Sequence, residues 1–249
     1  MKIFLCPSPD LYHLYHRSGA TVIITDIFRA STTIVTAINN GAEAILPVAC
    51  TEEAQRLGQE YGYLIAAERN VRRCEFADLG NDPMEYTSER ILGKHIVLTT
   101  TNGTRSLHIA LEAGAQEILI GSFLNLSATL RHCLEIGAEE VIVLAAGWQG
   151  QLSIEDNLYA GALAYHLSCT GQGGAEGDAA VMMLDLWRGH CLTQELREQY
   201  IKSSEHYARL EAASFAHTTS YCMQIDTVPV VVRLEEQNGR WWLVKKEKI

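Results

Sequence analysis

The chain has 249 residues, of which 47% are hydrophobic and 20% charged, and its 30 acidic and 20 basic side chains give a net charge of −10. This composition is typical of a soluble globular protein that can bury a core without disulfides. The acidic balance argues against nucleic acid and anionic membranes as partners, because both bind a basic face. A small anionic substrate is still compatible, since a few clustered arginines can reverse the field locally.

The cysteine pattern indicates neither a metal site nor a redox site. Seven cysteines are scattered singly, and no Cys-x-x-Cys pair occurs. A zinc knuckle or a dithiol motif is therefore not predicted. The sequence shows no signal-peptide pattern and no apolar run of transmembrane length. We expect free thiols in a cytoplasmic protein without membrane attachment.

Apolar runs of strand length recur through the first 170 residues and alternate with helix-like spacing. Continuous apolar strands of this kind are buried on both faces, which predicts an α/β fold built on parallel strands. At Gly41, Gly114 and Gly137 a Gly-Ala pair precedes an acidic position and an apolar run. We expect these glycines to end helices in the left-handed conformation. The predicted strands are Lys2–Cys6, Thr21–Ile27, Ala44–Val48, Tyr63–Ala67, His95–Thr101, Glu117–Ile120 and Glu140–Ala145, and a predicted helix covers Ala30–Asn39.

The last third of the chain has a different pattern. The glycine-rich stretch Ser168–Asp178 predicts a loop, and Ala179–Trp187 and Leu192–Met223 are predicted to be mainly helical. Val228–Leu234 and Trp241–Val244 flank Asn238-Gly239, a pair typical of tight hairpin turns, so a C-terminal β-hairpin is expected. We predict a single domain over residues 1–249, with residues 168–178 as the place where it could be subdivided.

Polar and charged side chains follow four of the predicted strands. Ligands of open α/β sheets bind beyond the carboxyl ends of strands, so we expect these side chains to converge. Arg29 and Arg105 carry planar guanidinium groups that match phosphate or sulfonate oxygens. Residues 101–104 precede a helix, where free N–H groups attract anions. These features predict an anion-binding site at one edge of the sheet.

Four carboxylates accompany the two arginines, namely Asp26, Glu68, Glu155 and Asp156. Carboxylate oxygens suit Mg²⁺, which takes one or two of them together with substrate phosphate. A metal and arginines around a phosphoryl group stabilise the charge that develops in phosphoryl transfer. Taken singly, each motif has a simpler interpretation. The hydroxyl residues after Asp26 could cap a helix, and Ser153 with Asp156 could form a capping box. Arg69, Arg72 and Arg73 could lie on a solvated face.

Six stretches of the chain, in order, resemble the 2-phosphosulfolactate phosphatases of the ComB type. They are "TDIFRASTTIVTAINNGA", "AAERNVRRCEFADLGNDPMEYT", "VLTTTNGTRSL", "GSFLNLSA", "AAGWQGQLSIEDNLYAGAL" and "SFAHTTSYCMQIDTVPVV". The resemblance implies a three-layer α/β/α fold with a mainly parallel or mixed sheet, and a homodimer. It also implies Mg²⁺-dependent hydrolysis of (2R)-2-phospho-3-sulfolactate to 3-sulfolactate and phosphate, a step of coenzyme M biosynthesis.

The matched positions define the candidate site. We expect catalytic roles for Asp26, Arg29, Glu68 and Arg105, and Mg²⁺ bound by Asp26, Glu155 and Asp156. The expected substrate-binding residues are Thr32, Thr33, Arg69, Asn81, Thr100, Asn102, Gly103, Thr104 and Ser153. Two positions depart from the family pattern, because Ala67 stands where glycine is expected and Asp82 where serine is expected.

Two other functions fit the same pocket. One is hydrolysis of another small phosphorylated hydroxy acid, and the other is binding of an anionic metabolite without catalysis. The abundant carboxylates favour an enzyme, because a pure anion binder gains nothing from nearby negative charge unless a metal offsets it.

Overall fold

The computed structural model describes residues 1–100 and 102–246. Thr101, which belongs to the predicted anion-binding stretch, lies outside the described residues. The strands are β1 (Lys2–Cys6), β2 (Thr21–Thr25), β3 (Ala44–Pro47), β4 (Leu64–Arg69), β5 (Arg72–Arg73), β6 (His95–Thr99), β7 (Glu117–Ile120), β8 (Glu140–Ala145), β9 (Gly174–Ala175), β10 (Val232–Gln237) and β11 (Arg240–Lys245). The α-helices are α1 (Tyr12–Tyr15), α2 (Ala30–Asn39), α3 (Thr51–Tyr61), α4 (Ser88–Ile91), α5 (Gly103–Glu112), α6 (Leu126–Glu135), α7 (Ile154–Thr170), α8 (Asp178–His190), α9 (Gln194–Ile201), α10 (Glu205–Ala212) and α11 (His217–Cys222).

Within the described residues, the strands form one mixed sheet in the order β5-β4-β6-β3-β11-β10-β7-β2-β8-β1-β9. One parallel block contains β7, β2, β8 and β1, and a second contains β3, β6 and β4. The hairpin β10–β11 lies between the blocks and is antiparallel to both. The predicted α/β class, mixed sheet and C-terminal hairpin are confirmed. The central position of the hairpin is a finding of the structure.

The hairpin reverses the direction of one block relative to the other, because three antiparallel pairings separate β7 from β3. The residues that follow β2 and β6 still come together, because Asp26 and Thr100 line one cavity.

Helices cover both faces of the central strands, which explains their continuous apolar sequences. In β1, Phe4 and Cys6 pack in one core with side chains of α2 and α5, whereas Ile3 and Leu5 pack in another with α7 and α8. Each fully buried side chain of this size contributes about 1.5–3 kcal/mol to folding. Burial of both faces thus fixes the register of the strands and the positions of the loops that follow them.

The three Gly-Ala junctions have the predicted geometry. Gly41, Gly114 and Gly137 have φ angles of +98°, +79° and +69°, in the region that favours glycine. Each ends a helix, and β3, β7 and β8 follow within a few residues. The repeated helix-to-strand unit is therefore confirmed.

The predicted loop at 168–178 is shorter in the structure. Helix α7 continues to Thr170, and β9 pairs in parallel with β1. A Cβ on Gly173 would overlap the carbonyl of Met1. The glycines here allow a close approach to an edge strand, and composition alone does not separate that role from a flexible loop.

The predicted helical stretch Leu192–Met223 consists of three short helices, α9, α10 and α11. Side chains of Thr193 and Ser204 accept hydrogen bonds from main-chain N–H groups at the starts of α9 and α10. These caps satisfy donors that a helix start leaves free. No helix in the described part of the chain is both long enough and apolar enough to span a bilayer.

Candidate active site

The loop after β2 buries a carboxylate and a guanidinium at the carboxyl end of the strand. Asp26 is 8% exposed, and its Oδ1 accepts a hydrogen bond from the Ala30 N–H at 3.3 Å. Arg29 is 2% exposed, and its Nη2 donates to the Val71 carbonyl at 2.8 Å. Nη1 of Arg29 is buried and has no hydrogen-bond partner. A buried unpartnered donor is costly, so this atom is the one that a ligand would satisfy.

Asp26 and Arg29 line a small pocket with three other predicted residues, Glu68, Asn81 and Asn102. Four separate segments of the chain therefore converge, as the sequence predicts. The Oδ1 atom of Asn81 is also buried without a partner. The pocket thus offers a free donor and a free acceptor beside two carboxylates. The other lining residues are Phe28, Val71, Trp148 and His206.

Thr100, Gly103 and Thr104 line an adjoining cavity, to which Asp26 also contributes. A Cβ on Gly103 would lie 3.1 Å from Oδ2 of Asp26 and 3.3 Å from Oγ1 of Thr100. Thr104 Oγ1 donates to the Thr100 carbonyl at 3.2 Å. Glycine at position 103 therefore lets the start of α5 approach the carboxylate of Asp26. The Asn-Gly pair here serves close packing, whereas Asn238-Gly239 turns a hairpin.

Replacement of Gly103 by alanine should reduce kcat/KM about tenfold. The added methyl group is tighter against Asp26 than an ordinary contact, and a displacement of about 1 Å in a catalytic group costs about 10²-fold. Steady-state kinetics with thermal unfolding would measure the effect. Gly189→Ala in α8 is the matched control, because a Cβ there meets no atom within 4 Å. Equal activity of both variants would contradict the close approach.

Glu68 is held by the tight turn that joins β4 to β5. Its Oε1 accepts a hydrogen bond from the Val71 N–H, while the Val71 carbonyl accepts one from Arg29. Asn70 and Val71 have φ angles of +51° and +71°, a region that β-branched residues rarely adopt. The left-handed conformation costs about 1–2 kcal/mol per residue. One strained residue therefore links the Glu68 carboxylate to the Arg29 guanidinium.

Glu155 and Asp156 lie behind the pocket. Oε1 of Glu155, which is fully buried, lies 2.5 Å from Nδ1 of His206, and the His206 ring lines the pocket. Oδ1 of Asp156 accepts from the Ile27 N–H at 2.7 Å, and Oδ2 accepts from the Gly147 N–H at 3.0 Å. Asp156 therefore braces the loops that follow β2 and β8. Of the three predicted metal ligands, Asp26 is the one that lines the pocket in the described part of the site.

The electrostatics of the site are dominated by buried carboxylates. Burial raises the pKa of Asp26 from 3.8 to about 6, the charge of His206 opposes this rise, and the neighbouring glutamates reinforce it. Burial, and then the charges of Glu155 and Asp26, raise the pKa of Asp156 well above 3.8. Burial lowers the pKa of Arg29, against the attraction of nearby carboxylates. Protons or an added cation would relieve this concentration of negative charge.

Three of the predicted substrate-binding residues have supporting contacts. Thr32 Oγ1 donates to the Ile27 carbonyl at 3.0 Å, and Thr33 Oγ1 donates to the Asn81 carbonyl at 3.2 Å. Arg69 donates to Thr99 Oγ1 at 2.9 Å. These contacts hold the loops in place.

Ser153 stands at the N-cap position of α7, but its Oγ makes no capping hydrogen bond and has no partner. The capping-box interpretation of Ser153 with Asp156 is therefore wrong, because Asp156 bonds to two loops instead.

Arg105 is not among the described residues that line the two cavities. Its side chain is 51% exposed and donates to the carboxylate of Asp10. The Asp10 side chain is also close to Gly150, where a Cβ would lie 2.5 Å from Oδ2. The structure thus separates the two predicted arginines, with Arg29 buried at the pocket and Arg105 paired in solvent.

The structure adds several residues to the site that the sequence did not predict. His206 and Trp148 line the pocket, and the ring of Phe215 lies 4.3 Å from the guanidinium carbon of Arg29. Phe215 lies in a stretch that matches the family, so a signal existed for it. Trp148 lies in another such stretch, whereas His206 lies in none of them and follows no predicted strand, so the sequence carried no signal for it.

Asp82, one of the two departures from the family pattern, has defined partners. Its Oδ1 accepts from the Met84 N–H at 2.9 Å and caps a short 3₁₀ turn at Pro83–Glu85. Its Oδ2 lies 3.3 Å from Nε2 of His217. The additional negative charge is therefore adjacent to the pocket and contributes to the field around Arg29.

Comparison with known proteins identifies a family. A family model described as 2-phosphosulpholactate phosphatase matches residues 6–237. A relative from Thermotoga petrophila is 38% identical over 215 residues, which cover 85% of this chain and 89% of the relative. Relatives from Clostridium acetobutylicum (33% identical, covering 93% of this chain and 96% of the relative) and Gloeobacter violaceus (34%, covering 85% and 86%) also match. Each of these three relatives is named a probable 2-phosphosulfolactate phosphatase.

Proposed function

The chain belongs to the 2-phosphosulfolactate phosphatase family, and from this premise we propose that it is a phosphoric monoester hydrolase that converts (2R)-2-phospho-3-sulfolactate to 3-sulfolactate and phosphate. The observation that carries the proposal is the unpartnered Nη1 of the buried Arg29, in a pocket that also contains Asp26 and Glu68. A guanidinium donor of this kind matches a phosphate oxygen. Carboxylates beside it fit catalysis better than simple anion binding.

The residues that line the pocket fit Mg²⁺, which we propose as the cofactor. Mg²⁺ prefers oxygen ligands and combines one or two carboxylates with substrate phosphate. Asp26 and Glu68 supply carboxylates, and the free Oδ1 of Asn81 supplies a carboxamide oxygen. Among the residues described, no group of three or more His, Cys, Asp or Glu side chains could hold a metal unaided. A bound metal would act as a Lewis acid on the phosphoryl oxygens.

In the proposed hydrolysis, a water oxygen forms a bond to phosphorus, the bond to the C2 oxygen breaks, and that oxygen takes a proton. Arg29 binds a non-bridging phosphoryl oxygen through Nη1 while Val71 holds Nη2. Phe28 and Trp148 line the pocket with apolar surface that excludes water. Low local polarity strengthens the contact of Arg29 with the developing charge.

Three finer parts of the assignment are proposals as well. We extend to this chain a role in a coenzyme M type of pathway and a homodimeric state, both implied by the family resemblance. A cytoplasmic location agrees with the unpaired cysteines.

Phosphate release from a panel of substrates tests the proposed function. Phosphosulfolactate, phospholactate and phosphoglycolate would be assayed with Mg²⁺ and with chelator. The proposal requires the fastest release from phosphosulfolactate and loss of activity with chelator. Faster release from phospholactate or phosphoglycolate would favour another phosphomonoester as the substrate. Tight binding with no release from any compound would favour a non-catalytic sensor.

A further inference from the structure

One aromatic ring outside the pocket wall covers the guanidinium of Arg29. The guanidinium carbon lies 4.3 Å from the centroid of the Phe215 ring. Nη2 is fixed to the Val71 carbonyl, and Nη1 is left without a partner. A ring on one face and a hydrogen bond at one nitrogen define the plane of the group. The remaining donor can then point in few directions.

Contacts made by Phe215 and by the residues that follow it fix the position of its ring. Its N–H donates to the Leu210 carbonyl at 2.7 Å, which ties it to the end of α10. Two residues later, His217 contacts Asp82. The ring is therefore part of a short bridge between α10 and the loop that carries Asn81. This bridge passes over Arg29.

Arg29 needs such restraint, because carboxylates surround it. The charges of Asp82, Glu68 and Asp26 all act on its guanidinium. A freely rotating arginine would turn Nη1 onto one of these acids, since charged pairs form strong hydrogen bonds at short range. The phosphoryl group would then have to displace that acid before it could bind.

We propose that Phe215 is a positioning residue that keeps Nη1 of Arg29 available to the phosphoryl group of the substrate. The inference rests on the proposed function for the identity of the substrate, but its anion-binding part can be measured separately. Stacking of arginine on an aromatic face is directional, and it is strongest in a desolvated site. Tryptophan at position 215 should therefore preserve phosphate binding, whereas an aliphatic side chain of similar size should not.

The test compares Phe215→Leu, Phe215→Trp and Phe4→Leu. Phe4→Leu is the matched control, because the guanidinium of Arg17 lies 3.9 Å from the Phe4 ring and Arg17 has no part in the pocket. We would measure KM and kcat on phosphosulfolactate, the Kd of inorganic phosphate by calorimetry, and thermal unfolding. Phe215→Leu should raise KM and the phosphate Kd by about tenfold, with kcat changed less than about threefold. Phe215→Trp should restore most of the affinity, and Phe4→Leu should leave both constants unchanged.

Phosphate binding by Phe215→Leu that equals wild-type binding would overturn the inference, as would equal losses in Phe215→Leu and Phe4→Leu. If Phe215→Leu does not fold, Phe215→Met makes the same comparison. Wild-type protein that binds phosphate but hydrolyses no substrate would refute the proposed function alone. The loss of phosphate affinity in Phe215→Leu would still support the positioning role. Wild-type protein that binds no phosphate would refute both.

Discussion

Arg29→Ala should lower kcat/KM by about 10²–10³-fold. Loss of one preorganised donor to a developing negative charge costs about 2.7–4 kcal/mol. Arg29 belongs to this class because it is buried and fixed by Val71, with one donor left free. Arg29→Lys should recover little activity, since an ammonium group cannot hold the Val71 carbonyl and a phosphoryl oxygen in one planar fork. Steady-state kinetics on the best substrate of the panel would give the values.

Two other arginines provide controls. Arg197 is also buried, but it donates to the carbonyls of Met223 and Cys191, and it does not line the pocket. Arg197→Ala should therefore lower the melting temperature while leaving kcat/KM of the folded protein close to wild type. Arg105→Ala should lower kcat/KM less than about tenfold, because Arg105 pairs with Asp10 outside the pocket lining and a solvent-exposed charge contributes only about 0–1 kcal/mol. A larger loss in Arg105→Ala than in Arg29→Ala would reverse the roles inferred from burial.

The contrast between Arg29 and Arg105 shows what local sequence can predict about a site. Both arginines follow strands and hydroxyl residues, so spacing assigns them equal roles. Their difference depends on Val71 and Asp10, which lie far away along the chain. Burial and pairing are tertiary properties, and no local pattern encodes them.

The same limit applies to the carboxylates. Asp26 and Asp156 both follow strand ends or begin helices, yet Asp156 accepts two main-chain hydrogen bonds and Asp26 lines the pocket. A single sequence does not distinguish a carboxylate that braces loops from one that contacts a ligand. Residues 26, 29, 68 and 102 were predictable as a group because each follows a predicted strand, where ligands of open α/β sheets bind. Asn81 was predicted from the family resemblance.

In the fold as well, local features were predictable from the sequence and long-range pairings were not. Apolar periodicity and helix-ending glycines locate β1, β7 and β8 to the residue, since these are local signals. The insertion of β10–β11 between two parallel blocks is a long-range pairing. The hairpin turn at Asn238-Gly239 predicts that the two strands pair, but it carries no information about their outer neighbours.

Asp26→Asn should abolish activity and, in metal-free protein above about pH 7, raise the free energy of unfolding by about 3 kcal/mol. The pKa of the buried carboxyl is raised from 3.8 to about 6, so the fold favours its protonated form. The stability from this preference is complete below pH 3.8 and is lost as the pH rises through 6. A neutral amide of the same shape avoids the loss, and its Oδ1 can still accept the Ala30 N–H.

Urea unfolding of both proteins in chelator between pH 4 and pH 8 would measure this difference. The two free energies should agree most closely near pH 4 and diverge as the pH rises through 6. Asp185→Asn, at an exposed position of α8, should show no such divergence. If Asp26→Asn were the less stable protein at pH 8, the carboxylate would have to be satisfied by a partner within the protein.

Addition of Mg²⁺ distinguishes the destabilising effect of the buried Asp26 carboxylate from its proposed role as a metal ligand. A metal that binds the folded protein through ionised Asp26 stabilises it by mass action, and only the wild type should gain. The wild-type melting temperature at pH 8 should therefore rise with Mg²⁺ toward that of Asp26→Asn, while the variant should not respond. An equal response of both proteins would place the metal elsewhere. A destabilising buried carboxylate is retained where function needs its charge, and this experiment measures that need directly.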